Sequence, residues 1–376
     1  MKLLQRHSRN ILANWWWTVD HKLLIAITSL LIIGVSLIFT ASPSVATRID
    51  VGSFHFVKKQ IVFAFVAYGL MLLISMQSLR TIRRFAFLGY VGAICLMIAT
   101  LFFGMDTKGA SRWLDLGLIS IQPSEFVKPF FVVVAAWLFD MQKKANSFPG
   151  NYLSIGFYGL TVVLLLLQPD VGMTIVVTLV WGFQFFLAGL SIAFILALGG
   201  LFLAILVFAY FTFSHVHERV DQFLSSENNL GYQVKLSLEA FESGSFFGRG
   251  PGEGIVKLKI PDAHTDFIFA VAGEEFGVLL CVLIIAIFAF IVAKTMLVSL
   301  KDKNLFIVLT SSGLAASFGL QGIINMASTL HLMPTKGMAL PFISYGGSSL
   351  LATSILLGML LAITRKNVHA EDRDYD

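Results

Sequence analysis

The sequence predicts an all-α polytopic membrane protein of about ten transmembrane helices, with one large extracytoplasmic loop between the seventh and the eighth. Two observations carry that reading. Hydrophobic residues make up 57% of the 376 and charged residues only 13%, where soluble domains hold roughly half and roughly a quarter. The mean hydropathy is +0.82, and the 35 phenylalanines suit helices that expose aromatic rings to lipid.

Spanning a bilayer takes about 17–25 apolar residues in a helix. Segments of that kind lie at 23–41, 60–77, 85–104, 120–140, 151–168, 171–189, 191–213, 266–293, 304–328 and 342–364. The first follows Lys22. Ser44-Val45-Ala46 loosely mimics a signal-peptidase site, but the apolar run from Leu23 to Ala41 is longer than the core of a cleaved signal, so it reads as an uncleaved first span. Gln168-Pro169-Asp170 divides the fifth span from the sixth, and a turn at Gly189 divides the sixth from the seventh. Cys95 and Cys281 both lie inside apolar runs, without metal-ligand spacing, and read as small hydrophobic residues.

Orientation follows from lysine and arginine in the short loops. With a cytoplasmic N-terminus, Lys22, Arg80, Arg83, Arg84, Lys143, Lys144, Lys294, Lys301, Lys303 and Arg365 all fall on the cytoplasmic side. The excess reverses if the chain is inverted, so both termini are expected in the cytoplasm. The net charge of +5 then reflects topology, and no nucleic-acid partner is indicated. Trp15, Trp16 and Trp17 fit an interfacial anchor. The organisation is a cytoplasmic segment 1–22, a membrane domain 23–364 with its outer loop at 214–265, and a charged cytoplasmic tail 365–376. In that loop Tyr232, Val234, Leu236 and Leu238 alternate. Alternation alone suggests a strand, but no partner strand is visible, and an amphipathic segment at the interface fits better.

The unusual polar sequences collect on the outer side, where ATP and nicotinamide cofactors are absent. Asp266 stands at the entrance of the eighth span beside His264 and Thr265. An acid there either serves the helix macrodipole or acts as a general base. Glu274 and Glu275 lie about 12–14 Å further along a continuous helix, turned away from Asp266, and read as structural ion-pair residues. Lys128 is their obvious cationic partner. Glu125 precedes it by one helical turn in Gln122-Pro123-Ser124-Glu125, with Arg112 and Trp113 upstream as a clamp for an anionic head group. The run Phe247–Gly254 has glycine at every second position from Gly248, and its backbone N–H groups could hold a pyrophosphate together with Arg249. The irregular segment from Pro334 to Ser349 contributes one charge, Lys336.

These stretches together resemble the SEDS family (shape, elongation, division and sporulation proteins). The segments that carry the resemblance are Arg112-Trp113, Gln122–Glu125 with Lys128, Gln168-Pro169-Asp170, His264–Ala270 with Gly273-Glu274-Glu275, and Pro334–Ser349. They run through nearly the whole chain in the family's order. Glu239–Gly244, the 248–254 run and Pro261-Asp-Ala-His favour the division branch over the elongation branch. One departure is Pro129 directly after Lys128, which bears on how that lysine is aimed.

The resemblance implies a peptidoglycan glycosyltransferase of the bacterial inner membrane, working at the division septum. Its substrate would be lipid II, and its partners a class B penicillin-binding protein (the septal transpeptidase) and divisome regulatory proteins. Asp266 is then the catalytic base, and Arg112, Glu125, Lys128, Arg249, His264 and Lys336 are the substrate-binding residues. The expected reaction inverts the donor sugar: an acceptor 4-hydroxyl attacks C1 and undecaprenyl pyrophosphate leaves without needing a proton. Its charge calls for Arg112, Lys128, Arg249, Lys336 or a divalent cation such as Mg or Mn, and no cofactor or resident metal site is read from the sequence. Two other classes compete, a lipid II flippase and a non-enzymatic divisome scaffold. A flippase requires polar groups along a path across the membrane, whereas the sequence places the charged ones in the outer half.

Overall fold

The computed structural model describes residues 11–46, 48, 50, 52–107, 110–115, 117, 120–145, 147–189, 192–224, 231–335 and 337–366. In chain order these form α1 (Ile11–Thr18), α2 (His21–Ala46), α3 (His55–Ser75), α4 (Leu79–Phe103), β1 (Met105–Thr107), β2 (Ala110–Asp115), β3 (Ser120–Ile121) and α5 (Pro123–Lys144). There follow α6 (Gly150–Leu167), α7 (Val171–Leu187), α8 (Ile192–Thr212), α9 (Ser214–Leu224), α10 (Tyr232–Gly244), α11 (Ile268–Ser299), α12 (Leu305–Thr329) and α13 (Gly347–Ile363).

Helices α2 to α8 and α11 to α13 occupy the ten apolar segments expected from the sequence. Only helices and closed barrels satisfy every backbone group inside lipid. Six of them, α2, α3, α4, α6, α11 and α12, are long and apolar enough to cross a membrane by length and composition alone. Of the others, α7 and α13 are 17 residues long, and α5 carries the charged Glu125, Lys128 and Asp140. Helix α5 starts on Pro123 at its first position, where the missing N–H costs nothing. Pro129 sits inside it without ending it.

The most enclosed elements are α5, α12 and α13. Around them α13 packs on α3, α4 on α5, and α12 on α5, α7 and α11. One end of the bundle gathers the two ends of the described chain. Lys366 N–H donates to Thr18 O at 2.9 Å, Arg365 Nη2 to Gln77 O at 2.9 Å, and Lys294 pairs with Asp20 at 3.3 Å. Trp15 belongs here too, but it is buried and donates to Ser75 Oγ at 2.9 Å, so it is a packing residue as well as an anchor.

The opposite end holds what the sequence did not reveal. Between α4 and α5, β1 pairs antiparallel with β2, and β2 with β3. The alternating stretch at 232–238 is helical: Ser237, Ala240 and Gly244 form a buried stripe at helical spacing along α10. A Cβ on Gly244 would fall well inside contact with the backbone at Gly273, so α10 lies directly against α11. Helix α11 is itself interrupted. Gly277 takes φ 70° and ψ −170°, which splits off a short, wholly enclosed first piece.

Candidate functional site

The chain segments at this end are laced together by backbone carbonyls. Ser344 Oγ donates to Thr265 O at 2.6 Å and accepts from Leu340 N–H at 2.8 Å, while Tyr345 N–H donates to His264 O at 2.8 Å. This fastens the turn before α11 to the segment before α13. Between them and α3, β2 and α5 opens a cavity of about 800 Å³. Asp266, half-buried, and Glu125 lie on its wall with Trp113, Gln122 and Tyr345, and Lys58 and Lys59 stand on the α3 side.

Asp266 belongs to the turn that precedes α11, because the helix begins only at Ile268. A helical wheel counted from Asp266 to Glu274 therefore has no geometric basis. What holds Asp266 is α12: Asn325 Nδ2 donates to Asp266 O at 2.9 Å and to Met338 O at 2.7 Å. One turn earlier, Gln321 Nε2 donates to Ala339 O at 3.0 Å, and its Oε1 accepts from Lys128 Nζ at 2.6 Å. Lys128 also pairs with Glu125 at 2.7 Å, with both residues buried. The chain Glu125–Lys128–Gln321–Ala339 thus couples the acidic wall of α5 to the segment facing it.

The partner expected for the two glutamates was Lys128; the structure instead pairs Glu275 with Lys257 and sets Glu274 against backbone N–H groups. Lys257 Nζ pairs with Glu275 and also donates to Thr40 O at 3.1 Å and Gly252 O at 3.2 Å. Glu274 accepts from the N–H groups of Ile255 (2.7 Å), Val256 (2.7 Å) and Lys257 (2.8 Å). Gly252 N–H donates to Glu275 Oε1 at 3.2 Å, and Arg249 and Gly250 N–H donate to the carbonyls of Glu274 and Glu275. The glycine-rich loop therefore wraps an internal carboxylate. These N–H groups are already occupied, which corrects their reading as a pyrophosphate cradle. Arg48 closes the loop from outside by donating to Ile260 O at 3.0 Å and to Leu258 O.

Of the other basic residues expected at the substrate, Arg112 donates through Nε to Gln168 O at 3.0 Å and through Nη2 to Pro169 O. Only its neighbour Trp113 is on the cavity wall. Arg249 is exposed, reaches back to Ser243 O at 3.4 Å and lies off that wall. Lys336 lies outside the described residues. His264 is buried behind the wall, its ring 4.6 Å from that of Phe56 and 5.2 Å from that of Tyr345, with Nδ1 unpartnered. Burial lowers its pKa to about 4, against a smaller opposing effect of Asp262. Among the described residues, no three His, Cys, Asp or Glu side chains converge as a metal site.

A sequence profile of the FtsW/RodA/SpoVE cell cycle proteins matches residues 21–369. The chain belongs to this family. A relative from Caulobacter vibrioides, named as a probable peptidoglycan glycosyltransferase FtsW, is 45% identical over 96% of this chain and 93% of its own length. One of the same name from Trichlorobacter lovleyi is 35% identical over 92% and 93%. Among solved structures, a chain of a peptidoglycan synthase complex coordinating polymerization and crosslinking has a TM-score of 0.78 at 28% identity, covering 96% of this chain and 100% of that one. The rod shape determining protein RodA of Thermus thermophilus gives 0.69 at 26%, covering 96% and 99%.

This FtsW/RodA/SpoVE member is a multi-pass bacterial membrane protein. Its site includes residues that sequence reasoning passed over. Gln321 and Asn325 were signalled only as polar groups four residues apart within an apolar helix. Lys257 had no pattern at all. Lys58 and Lys59 carried only a topological signal, as basic residues of an outer loop.

Proposed function

We propose that the chain is a peptidoglycan glycosyltransferase of septal wall synthesis, polymerising lipid II with Asp266 as general base. The reading rests on one observation: a half-buried carboxylate, Asp266, stands with the buried Glu125–Lys128 pair at a single cavity large enough for a sugar head group. The acceptor 4-hydroxyl gives its proton to Asp266 while its oxygen bonds to C1 of the donor. The C1–O bond breaks, and its electron pair leaves with undecaprenyl pyrophosphate. An inverting transfer of this kind needs one base and no acid on the leaving group.

Both termini then face the cytoplasm and the cavity opens on the outer surface, as the positive-inside distribution requires. The peptidoglycan synthase complex among the structural relatives supports a class B penicillin-binding protein as partner, with the divisome regulators beyond it. The test uses purified protein with its transpeptidase partner and fluorescent lipid II. Wild type builds glycan ladders and Asp266→Asn does not; ladders from the variant would remove Asp266 from the mechanism.

A second reading, lipid II translocation, draws on α12. Thr310 and Ser317 continue the face of Gln321 and Asn325 toward the far end of the bundle, with Ser311 and Ser312 buried on neighbouring faces. The polar groups are therefore less confined to the outer half than the sequence suggested. Translocation by vesicles that form no glycan would favour this reading.

A further inference from the structure

An inverting transfer adds one negative charge to a pyrophosphate that already carries two, and a site that stabilises the departing group needs cations on its wall. Of the cations expected there, Arg112 and Arg249 are turned away from the cavity. Lys128 is matched by Glu125, and Lys257 by Glu275. What remains among the described wall residues is Lys58 and Lys59.

Both are exposed, and neither forms an ion pair among the described residues. Lys58 closes the first turn of α3 and Lys59 opens the second, near the helix end where the macrodipole disfavours positive charge, so helix stability does not account for them. The next residue, Gln60, is buried and donates to Ser344 O at 3.5 Å, which ties this turn to the same segment that holds Thr265. The lysines thus line the same cavity as Asp266, on a helix end braced against the segment that holds Thr265. The wall acids Asp115, Glu125 and Asp266 come from other elements.

We infer that Lys58 and Lys59 form the anion subsite of this cavity and take the pyrophosphate of a polyprenyl-linked sugar donor. The assignment rests on the glycosyltransferase reading, and it fixes the polarity of the site. The donor head group lies on the α3 side, so the attacking acceptor hydroxyl approaches from the Asp266 side. Exposed lysines hold phosphate as point charges, so the interaction weakens with salt.

Binding can be measured without turnover. Asp266→Asn protein in phosphatidylcholine nanodiscs is titrated with undecaprenyl pyrophosphate and, separately, with undecaprenyl phosphate, each displacing fluorescent lipid II. The unmodified lysine pair should prefer the pyrophosphate. Lys58→Gln/Lys59→Gln should weaken pyrophosphate binding about tenfold, the scale of two exposed charge contacts, and should abolish the preference. Lys58→Arg/Lys59→Arg should keep both. Equal pyrophosphate affinity with and without the lysines overturns the proposal. So does a loss reproduced by adding phosphatidylglycerol to the discs, which would assign the lysines to bulk lipid phosphates. The single variants, read the same way, decide the matter if the double variant does not fold. A separate polymerisation assay with Asp266→Asn judges the base assignment independently of this result.

Discussion

The side-chain amide of Asn325 donates to the main-chain carbonyl of Asp266 at 2.9 Å, and from the same nitrogen to Met338 at 2.7 Å. Its Oδ1 is buried without a partner. Asn325 of α12 thus adds to the Ser344 and Tyr345 hydrogen bonds that fix the spacing between the turn carrying the proposed base and the segment facing it. Asn325→Ala should lower kcat by roughly 10²-fold, the scale of an ångström of misplacement. KM for lipid II and the pH dependence should stay near wild type, since the titrating carboxylate is unchanged. Steady-state glycan formation across pH checks this. A purely structural role would instead show as lower thermal stability with unchanged kinetics of the surviving fraction.

The Lys257–Glu275 pair is buried on both sides and joins the loop between α10 and α11 to α11 and, through Thr40, to α2. Removing one charge leaves the other uncompensated, at a cost of about 3–5 kcal/mol. Lys257→Met and Glu275→Gln should each lower the thermal midpoint sharply. The combined Lys257→Met/Glu275→Leu should recover a large part of the loss, because two apolar residues need no pairing. A double-mutant cycle in detergent measures the coupling. Strict additivity of the two single losses would show that the charges do not support one another.

Gly277 breaks α11 at φ 70°, with the backbone of Phe246 and Gly248 packed where a Cβ would stand. A side chain there meets both a disfavoured conformation and a backbone obstacle. Gly277→Ala should therefore destabilise the protein more than Gly156→Ala, a helical glycine with open space at its Cβ position. Parallel thermal melts of the two variants make the comparison.

The helical, multi-pass layout was legible because apolar length is almost sufficient evidence in a membrane, where helices close their own hydrogen bonds. The acidic wall was legible in part: Glu125 and Lys128 are one turn apart on one helix, and such neighbours meet by geometry. Lys257 was not legible, since its partner Glu275 is 18 residues away across an irregular loop. The glycine run misled for a related reason. Its pattern shows that backbone N–H groups are presented, but not to what: Gly252 N–H meets the carboxylate of Glu275 in the same chain, and Arg249 and Gly250 N–H meet the carbonyls of Glu274 and Glu275. The wheel relating Asp266 to the glutamates failed because the helix starts two residues after Asp266, a boundary that hydropathy does not locate. At 232–238, four alternating apolar residues were too short a window to separate a strand from a helix whose buried stripe continues to Gly244.

His264 gives the stability a pH dependence that can be separated from the proposed base. Its ring is enclosed by Phe56 and Tyr345, and burial lowers its pKa to about 4 from the ordinary 6.5. Above pH 6.5 the imidazole is neutral in both the folded and unfolded chain and contributes no pH dependence. Between pH 6.5 and about 4 the unfolded chain takes up the proton and the folded one does not, so stability falls as pH falls. Below about 4 both forms are protonated and the loss levels off, at a total on the order of 3 kcal/mol. Carboxylates titrate nearby, so the informative quantity is the difference between wild type and His264→Gln. Thermal midpoints measured from pH 7.5 to 4 should converge toward the acid end if His264→Gln removes this penalty. Parallel curves would show that the imidazole takes up its proton as readily in the fold as in the unfolded chain.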